Sequence, residues 1–141
     1  MGRTCLALGA QLHLVEPLGF SLDDRQVKRA GLDYWPHVKP VVWRDFAQFE
    51  AVLPSLGEAF FFTTEGKRGL WEVSFPRPSV LVFGRESVGL SPEIRNRHRD
   101  RTVSIPMPGD GNPSVVRSLN LSTASAIVMY EAARQWQLPQ G

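Results

Sequence analysis

The chain has 141 residues, 43% of them hydrophobic and 21% charged, with a formal net charge of +2. This composition is that of a globular chain, and the length suits one compact domain able to bury a substantial core. A single cysteine, Cys5, excludes an intramolecular disulfide and suits a reducing cytoplasm.

Cys5 reads as a small apolar residue on the buried face of a first helix. The opening from Met1 to Val15 has the look of a signal peptide, but Gln11 and His13 interrupt its apolar run and no small-residue cleavage pattern follows. The Met-Gly start fails as a myristoylation site because Leu6 stands where Ser or Thr is required. No run is long and apolar enough to span a membrane, so the expected location is the cytoplasm.

In chain order, the pattern predicts a strand over Gln11 to Val15, a polar helix over Asp23 to Ala30 and a strand over Val41 to Trp43. An amphipathic helix over Asp45 to Leu53 and an apolar strand over Ala59 to Thr63 follow. Thr64-Glu65-Gly66-Lys67 lacks the first glycine and the Ser/Thr of a phosphate loop and is expected to be a turn. The β-branched and aromatic run Ser79 to Phe83 reads as a buried parallel strand, and Gly84 follows where such strands present ligands. Gly84 and Gly89 bracket Glu86 in a tight loop, and Ser91-Pro92 opens the next helix with Glu93 in its first turn. Thr102 to Ile105 is the last strand. A helix is expected over Leu121 to Gln137, with Leu121, Ile127, Val128 and Ala132 available for an apolar face. Strands alternating with helices argue for a parallel sheet.

Three segments place small or polar residues where a core would want apolar ones: LVFGRESVGL at 81–90, SIPM at 104–107 and VRSLNLSTASAIVMYEAARQ at 116–135. Ser118 or Asn120 is explained singly as a helix cap. A bound ligand explains the cluster of Arg117, Ser118, Asn120 and Ser122 more simply than capping does. Basic clusters at Arg25, Lys28 and Arg29, and at Arg95, Arg97, Arg99 and Arg101, suit a polyanion. Asp23, Asp24, Glu93 and Asp100 lie among them, however, and a solvated face is the plainer reading of the second cluster. No His/Cys cluster with metal-ligand spacing occurs, so no metal is expected. Trp35, Trp43, Trp71 and Trp136 suit either a core or an interface.

FGRESVGL, IPM and SLNLSTASAIVMYEAARQ, with LHLVEPLGF at 12–20 and VKRAGLDYW at 27–35, resemble the trefoil-knotted SPOUT RNA methyltransferases. The resemblance is to the tRNA wobble-nucleotide 2′-O-ribose methyltransferase family in particular, and it runs in register through nearly the whole chain. It implies an α/β fold: a parallel sheet flanked by helices, with a C-terminal trefoil knot that pattern alone would not suggest. It implies S-adenosylmethionine as cofactor, held by Phe62, Gly84, Glu86, Gly89, Ile105 and Ser118. Methyl transfer to the ribose 2′-hydroxyl of the wobble nucleotide is the implied reaction, with Arg3 and Asn120 catalytic and tRNA as partner. Arg25, Lys28 and Arg29 would then meet RNA, and a homodimer would use Tyr130 on the last helix.

The chain departs from the family pattern twice. The expected strand and Asn-x-Gly-Asn loop before Arg3 are absent, so a shortened domain is expected, and PGDGNPSVVR at 108–117 is longer than usual. Two other readings stand beside the enzyme. One is a catalytically inactive knotted RNA-binding protein or a related methyltransferase for another RNA; the other is a generic α/β small-ligand module.

Overall fold

Glu58–Phe62 (β3) is hydrophobic almost throughout because both of its faces are covered. Phe60 and Phe62 point to one face and join Leu70, Val73, Phe75, Val103, Val128 and Ala132 in the core. Phe61, fully buried, points to the other and stacks on His98 at 4.1 Å between ring centroids. Alternation along a strand thus feeds two packed layers from three consecutive phenylalanines.

This computed structural model describes residues 1–17, 34–85, 88–109 and 118–139. They form two compact units, Met1–Leu53 and Pro54–Gly141.

The first unit holds helix α1 (Gly2–Leu8), strand β1 (His13–Val15), the short helix α2 (Trp35–Val38) and strand β2 (Val41–Trp43). Helix α3 (Phe46–Leu56) begins here, with Pro54 in its last turn. Gly9, at φ 70°, closes α1 in the left-handed conformation that glycine adopts cheaply. Strands β1 and β2 pair in parallel, His13 opposite Val41 and Val15 opposite Trp43. Asp45 Oδ1 accepts from Gln48 N at 2.8 Å while Gln48 Oε1 accepts from Arg44 N at 2.9 Å, a reciprocal pair of the capping-box kind that starts α3. Cys5 is buried as expected, and desolvation pushes its thiol pKa up.

The second unit carries a four-stranded parallel sheet in the order β4 (Arg68–Gly69), β6 (Thr102–Ser104), β3 and β5 (Ser79–Phe83). Helix α4 (Pro92–Arg97) starts as its sequence predicts: Ser91 is the N-cap, its Oγ accepts from Ile94 N at 3.3 Å, and Pro92 follows. Helix α5 (Leu121–Gln135) buries Ser125, Val128, Met129, Ala132 and Ala133, a stripe with helical spacing. Ile127 does not belong to that stripe. It stands 39% exposed beside Tyr130 at 54%, because two residues past Ser125 the helix has turned about 200°, to the side away from the core.

The end of α5 is tied to an irregular segment. Gln135 Oε1 accepts from Phe75 N at 2.8 Å, Gln135 Nε2 donates to Val73 O at 2.9 Å, and Trp136 Nε1 donates to Phe75 O at 2.7 Å. These bonds satisfy backbone groups that no strand partner reaches. Trp136 packs on the core and Trp71 stands exposed. Among the described residues no helix is long and apolar enough to cross a membrane. The expected helix over Asp23 to Ala30 lies outside the described residues, as does much of the long loop at 108–117.

Candidate active site

Phe62, at the carboxyl end of β3, is register partner of Phe83 on one side and of Val103 on the other. Gly84 follows Phe83, and Ser104 and Ile105 follow Val103. The expected cofactor contacts Phe62, Gly84 and Ile105 therefore lie along one edge of the sheet, where parallel strands present ligands. The Phe62 side chain is committed elsewhere: it is buried and stacked on Phe83 at 4.8 Å with 14° between planes, so only its backbone is available at that edge. Ile105 likewise packs its side chain on the core.

Gly84 meets a steric requirement that no side chain would satisfy. A Cβ built there would lie 2.1 Å from Gly89 C and 2.1 Å from Leu90 N. The loop folds back so closely because Arg85 and Gly89 exchange backbone bonds, Gly89 N donating to Arg85 O at 2.7 Å and Arg85 N to Gly89 O at 3.3 Å. Gly89 has the opposite character, with open space around its Cβ position but φ at +69°. Glu86, expected to organise this loop, lies outside the described residues.

A second bare-backbone approach is not expected from the sequence. Gly66, which reads only as part of a turn, has its Cβ position 2.3 Å from Val103 C and 2.4 Å from Ser104 N. Its backbone thus lies against the strand that leads into Ile105. Nothing local marks this glycine, since the Gly-Lys pair lacks the rest of a phosphate loop.

Asn120 occupies the N-cap of α5, but its side chain makes no capping bond and is exposed; Ser118, just before it, is exposed too. Capping, the bland explanation of Asn120, is therefore not realised. Arg117 lies outside the described residues. A polar hollow of about 490 Å³ lined by Trp71, Glu72, Glu131 and Arg134 includes none of the expected cofactor residues.

In the first unit, Arg3 is exposed on α1 with its guanidinium 4.9 Å from the ring centroid of Tyr34. Arg25, Lys28 and Arg29 lie outside the described residues. The second basic cluster is heavily paired: Arg95 with Glu65 at 3.4 Å, Arg97 with Glu93 at 2.7 Å, and Arg101 with Glu58. Lys67 lies 2.7 Å from Asp100, and that contact holds the Asp100 carboxyl below its ordinary pKa. Among the described residues no group of three or more His, Cys, Asp and Glu is disposed to hold a metal ion.

Residues 1–130 match the SpoU rRNA Methylase family. The chain is 43% identical over 136 residues to a tRNA (cytidine(34)-2'-O)-methyltransferase of Burkholderia pseudomallei, covering 94% of this chain and 83% of that one. A solved structure described as giving insight into the 2-OH methylation of C/U34 on tRNA superposes with a TM-score of 0.83 at 46% identity, over 96% of this chain and 85% of that one. The SpoU methyltransferase AviRb from Streptomyces viridochromogenes, solved in complex with AdoMet, gives a TM-score of 0.71 at 26% identity, over 96% of this chain and 54% of that one.

Proposed function

The chain belongs to the SpoU rRNA methylase family, and on that premise we propose that it transfers a methyl group from S-adenosylmethionine to the ribose 2′-hydroxyl of the wobble nucleotide of tRNA. The observation that carries the reading is the sheet edge at which Phe62, Gly84 and Ile105 lie side by side over backbone too crowded for a Cβ at Gly84. Strand ends and loops of this kind offer N–H and C=O groups to a flat heteroaromatic ring. The relatives' names and the AdoMet-bound neighbour support the same chemistry.

The residues present fit the cofactor. Gly84, Gly89, Glu86 and Ser118, with the backbone at Phe62 and Ile105, would hold it, and it supplies an electrophilic methyl group. The chain's own residues do the rest. A ribose hydroxyl is a weak acid, so its oxygen needs charge stabilisation as its proton passes to solvent water, with S-adenosylhomocysteine as the other product. Arg3 supplies that charge as an N–H donor, since arginine stays cationic in proteins. Asn120, free of capping, orients the substrate from the start of α5.

In this reading the two units are parts of one SPOUT domain whose C-terminal segment is knotted. Arg25, Lys28 and Arg29 meet tRNA, and two copies pair through α5, where Ile127 and Tyr130 stand exposed together. The protein works in the cytoplasm, with tRNA as its partner.

The test is transfer of labelled methyl from S-adenosylmethionine to unmodified tRNA transcripts, with calorimetric titration by S-adenosylhomocysteine alongside. Label appearing at nucleotide 34, and lost when that nucleotide is 2′-deoxy, is the expected result. Binding of S-adenosylhomocysteine without transfer to any tRNA favours the inactive RNA-binding reading, and failure of both overturns the methyltransferase.

A further inference from the structure

We propose that Tyr34 is the positioning residue of Arg3, holding its guanidinium over the aromatic ring so that it is presented to the reacting ribose. The proposal deepens the methyltransferase reading and rests on Arg3 acting in it. Two neighbouring contacts between α1 and the start of α2 build the arrangement. At the first, a Cβ on Gly2 would lie 3.2 Å from Trp35 Cζ3 and 3.3 Å from Val38 Cγ2, so Trp35 seats closely over a residue with no side chain. At the second, the Arg3 guanidinium lies 4.9 Å from the Tyr34 ring centroid. Gly2 with Trp35 and Arg3 with Tyr34 are successive pairs along the two elements, and the close seating of the first sets the ring under the second. His37 N donates to Tyr34 O at 3.0 Å, which fixes the backbone that carries the ring.

The geometry bears on how Arg3 works. The face of an aromatic ring carries negative potential and attracts a cation, so the pairing favours the charged guanidinium as a donor to a developing oxyanion over a proton acceptor. An exposed arginine on a short helix otherwise samples many rotamers, and the ring restricts them before substrate arrives.

The experiment compares Tyr34→Leu, Tyr34→Phe, Arg3→Ala and the double variant Arg3→Ala/Tyr34→Leu in methyl transfer to tRNA. The guanidinium resonance of Arg3 is followed by NMR. Tyr34→Leu is expected to lower kcat roughly three- to ten-fold with little change in KM for S-adenosylmethionine, at every pH by a similar factor. Tyr34→Phe restores most of that loss, since the ring face and not the hydroxyl does the holding. Arg3→Ala loses on the order of a hundred-fold, and adding Tyr34→Leu to it costs nothing more. The Arg3 resonance, displaced by the ring current, moves in Tyr34→Leu and stays in Tyr34→Phe. Additive losses in the double variant, an equal loss in Tyr34→Phe, or an unmoved Arg3 resonance overturns the positioning role while leaving the methyltransferase intact. Full activity in Arg3→Ala instead removes the catalytic role of Arg3, and this proposal with it.

Discussion

The edge of the four-stranded sheet and the aromatic contacts of the first unit solve similar problems with different materials. At the sheet edge, Gly84 and Gly66 let backbone press on backbone at distances no Cβ would survive. In the first unit the contacts are between side chains: Arg3 over Tyr34, and His13 stacked on Trp43 at 6.1 Å with Phe49 at 5.7 Å. A backbone-built site is intolerant, because one added carbon has nowhere to go. A side-chain-built site degrades by degrees, since neighbouring rings and rotamers absorb part of any change.

The largest expected effect breaks the backbone-built edge. Gly84→Ala forces a Cβ into Gly89 and Leu90, so the loop must open; stability should fall by about 3 kcal/mol or more and S-adenosylhomocysteine binding should vanish. Gly89→Ala is the control that isolates crowding from conformation. Its Cβ meets open space and it suffers only left-handed strain, worth about 1 kcal/mol. Chemical denaturation of both variants decides the matter, and equal losses of stability would show that crowding at Gly84 is not what shapes the loop.

Asn120→Ala sharpens the comparison at a side chain proposed to act beside the edge. Because Asn120 makes no capping bond, its loss should cost less than the usual cap removal of about 0.5–2 kcal/mol, while methyl transfer should drop by on the order of ten-fold or more. A full capping loss in a denaturation curve, with transfer unchanged, would return Asn120 to an ordinary structural role.

The same contrast between near and distant partners governs which features are legible in the amino-acid sequence. Val41 to Trp43 and Ser79 to Phe83 are legible to the residue because β-branched and aromatic runs stop at turn-forming residues, and Ser91-Pro92 is legible because cap chemistry is local. The two-residue strand Arg68–Gly69 is not, since its pairing with Val103 and Ser104 alone makes it a strand. Gly66 escapes notice for the same reason: its neighbour is distant in sequence. The outward position of Ile127 is not legible, because composition cannot say which side of a broadly apolar helix meets the core. The proposed cofactor loops are marked by their polarity but named through resemblance, and Tyr34 sits within VKRAGLDYW with no local sign that its ring lies under Arg3.

The aromatic contacts of the first unit make stability depend on pH. Burial pushes the His13 pKa below its ordinary value, and Trp43 Nε1 donates to His13 Nδ1 at 3.0 Å, a bond that requires an unprotonated Nδ1. The folded state therefore binds a proton less readily than the unfolded chain. The resulting stability is fully present above the ordinary histidine range near ~6.5, and it is lost as pH falls through the lower folded-state value. Urea midpoints measured from pH 7.5 down to 5 should decline in the natural chain. In His13→Asn, which keeps an acceptor but cannot take up the proton, the decline should flatten; parallel curves would assign the loss to other groups.

The smallest effect is expected where charges look most suggestive. Arg97 lies in a run of arginines that suits RNA, yet its guanidinium is 2.7 Å from the Glu93 carboxylate one turn away, and both are substantially exposed. A solvated pair of this kind contributes well under about 1 kcal/mol, and its cation is already partnered by a carboxylate that repels phosphate. Arg97→Ala should therefore shift stability by less than about 0.5 kcal/mol and leave tRNA affinity and its salt dependence nearly unchanged. Removing one phosphate-binding cation lowers the slope of log affinity against log salt by about one. A drop of that size in Arg97→Ala would mean that RNA displaces Glu93 from its partner, making this face part of the tRNA surface.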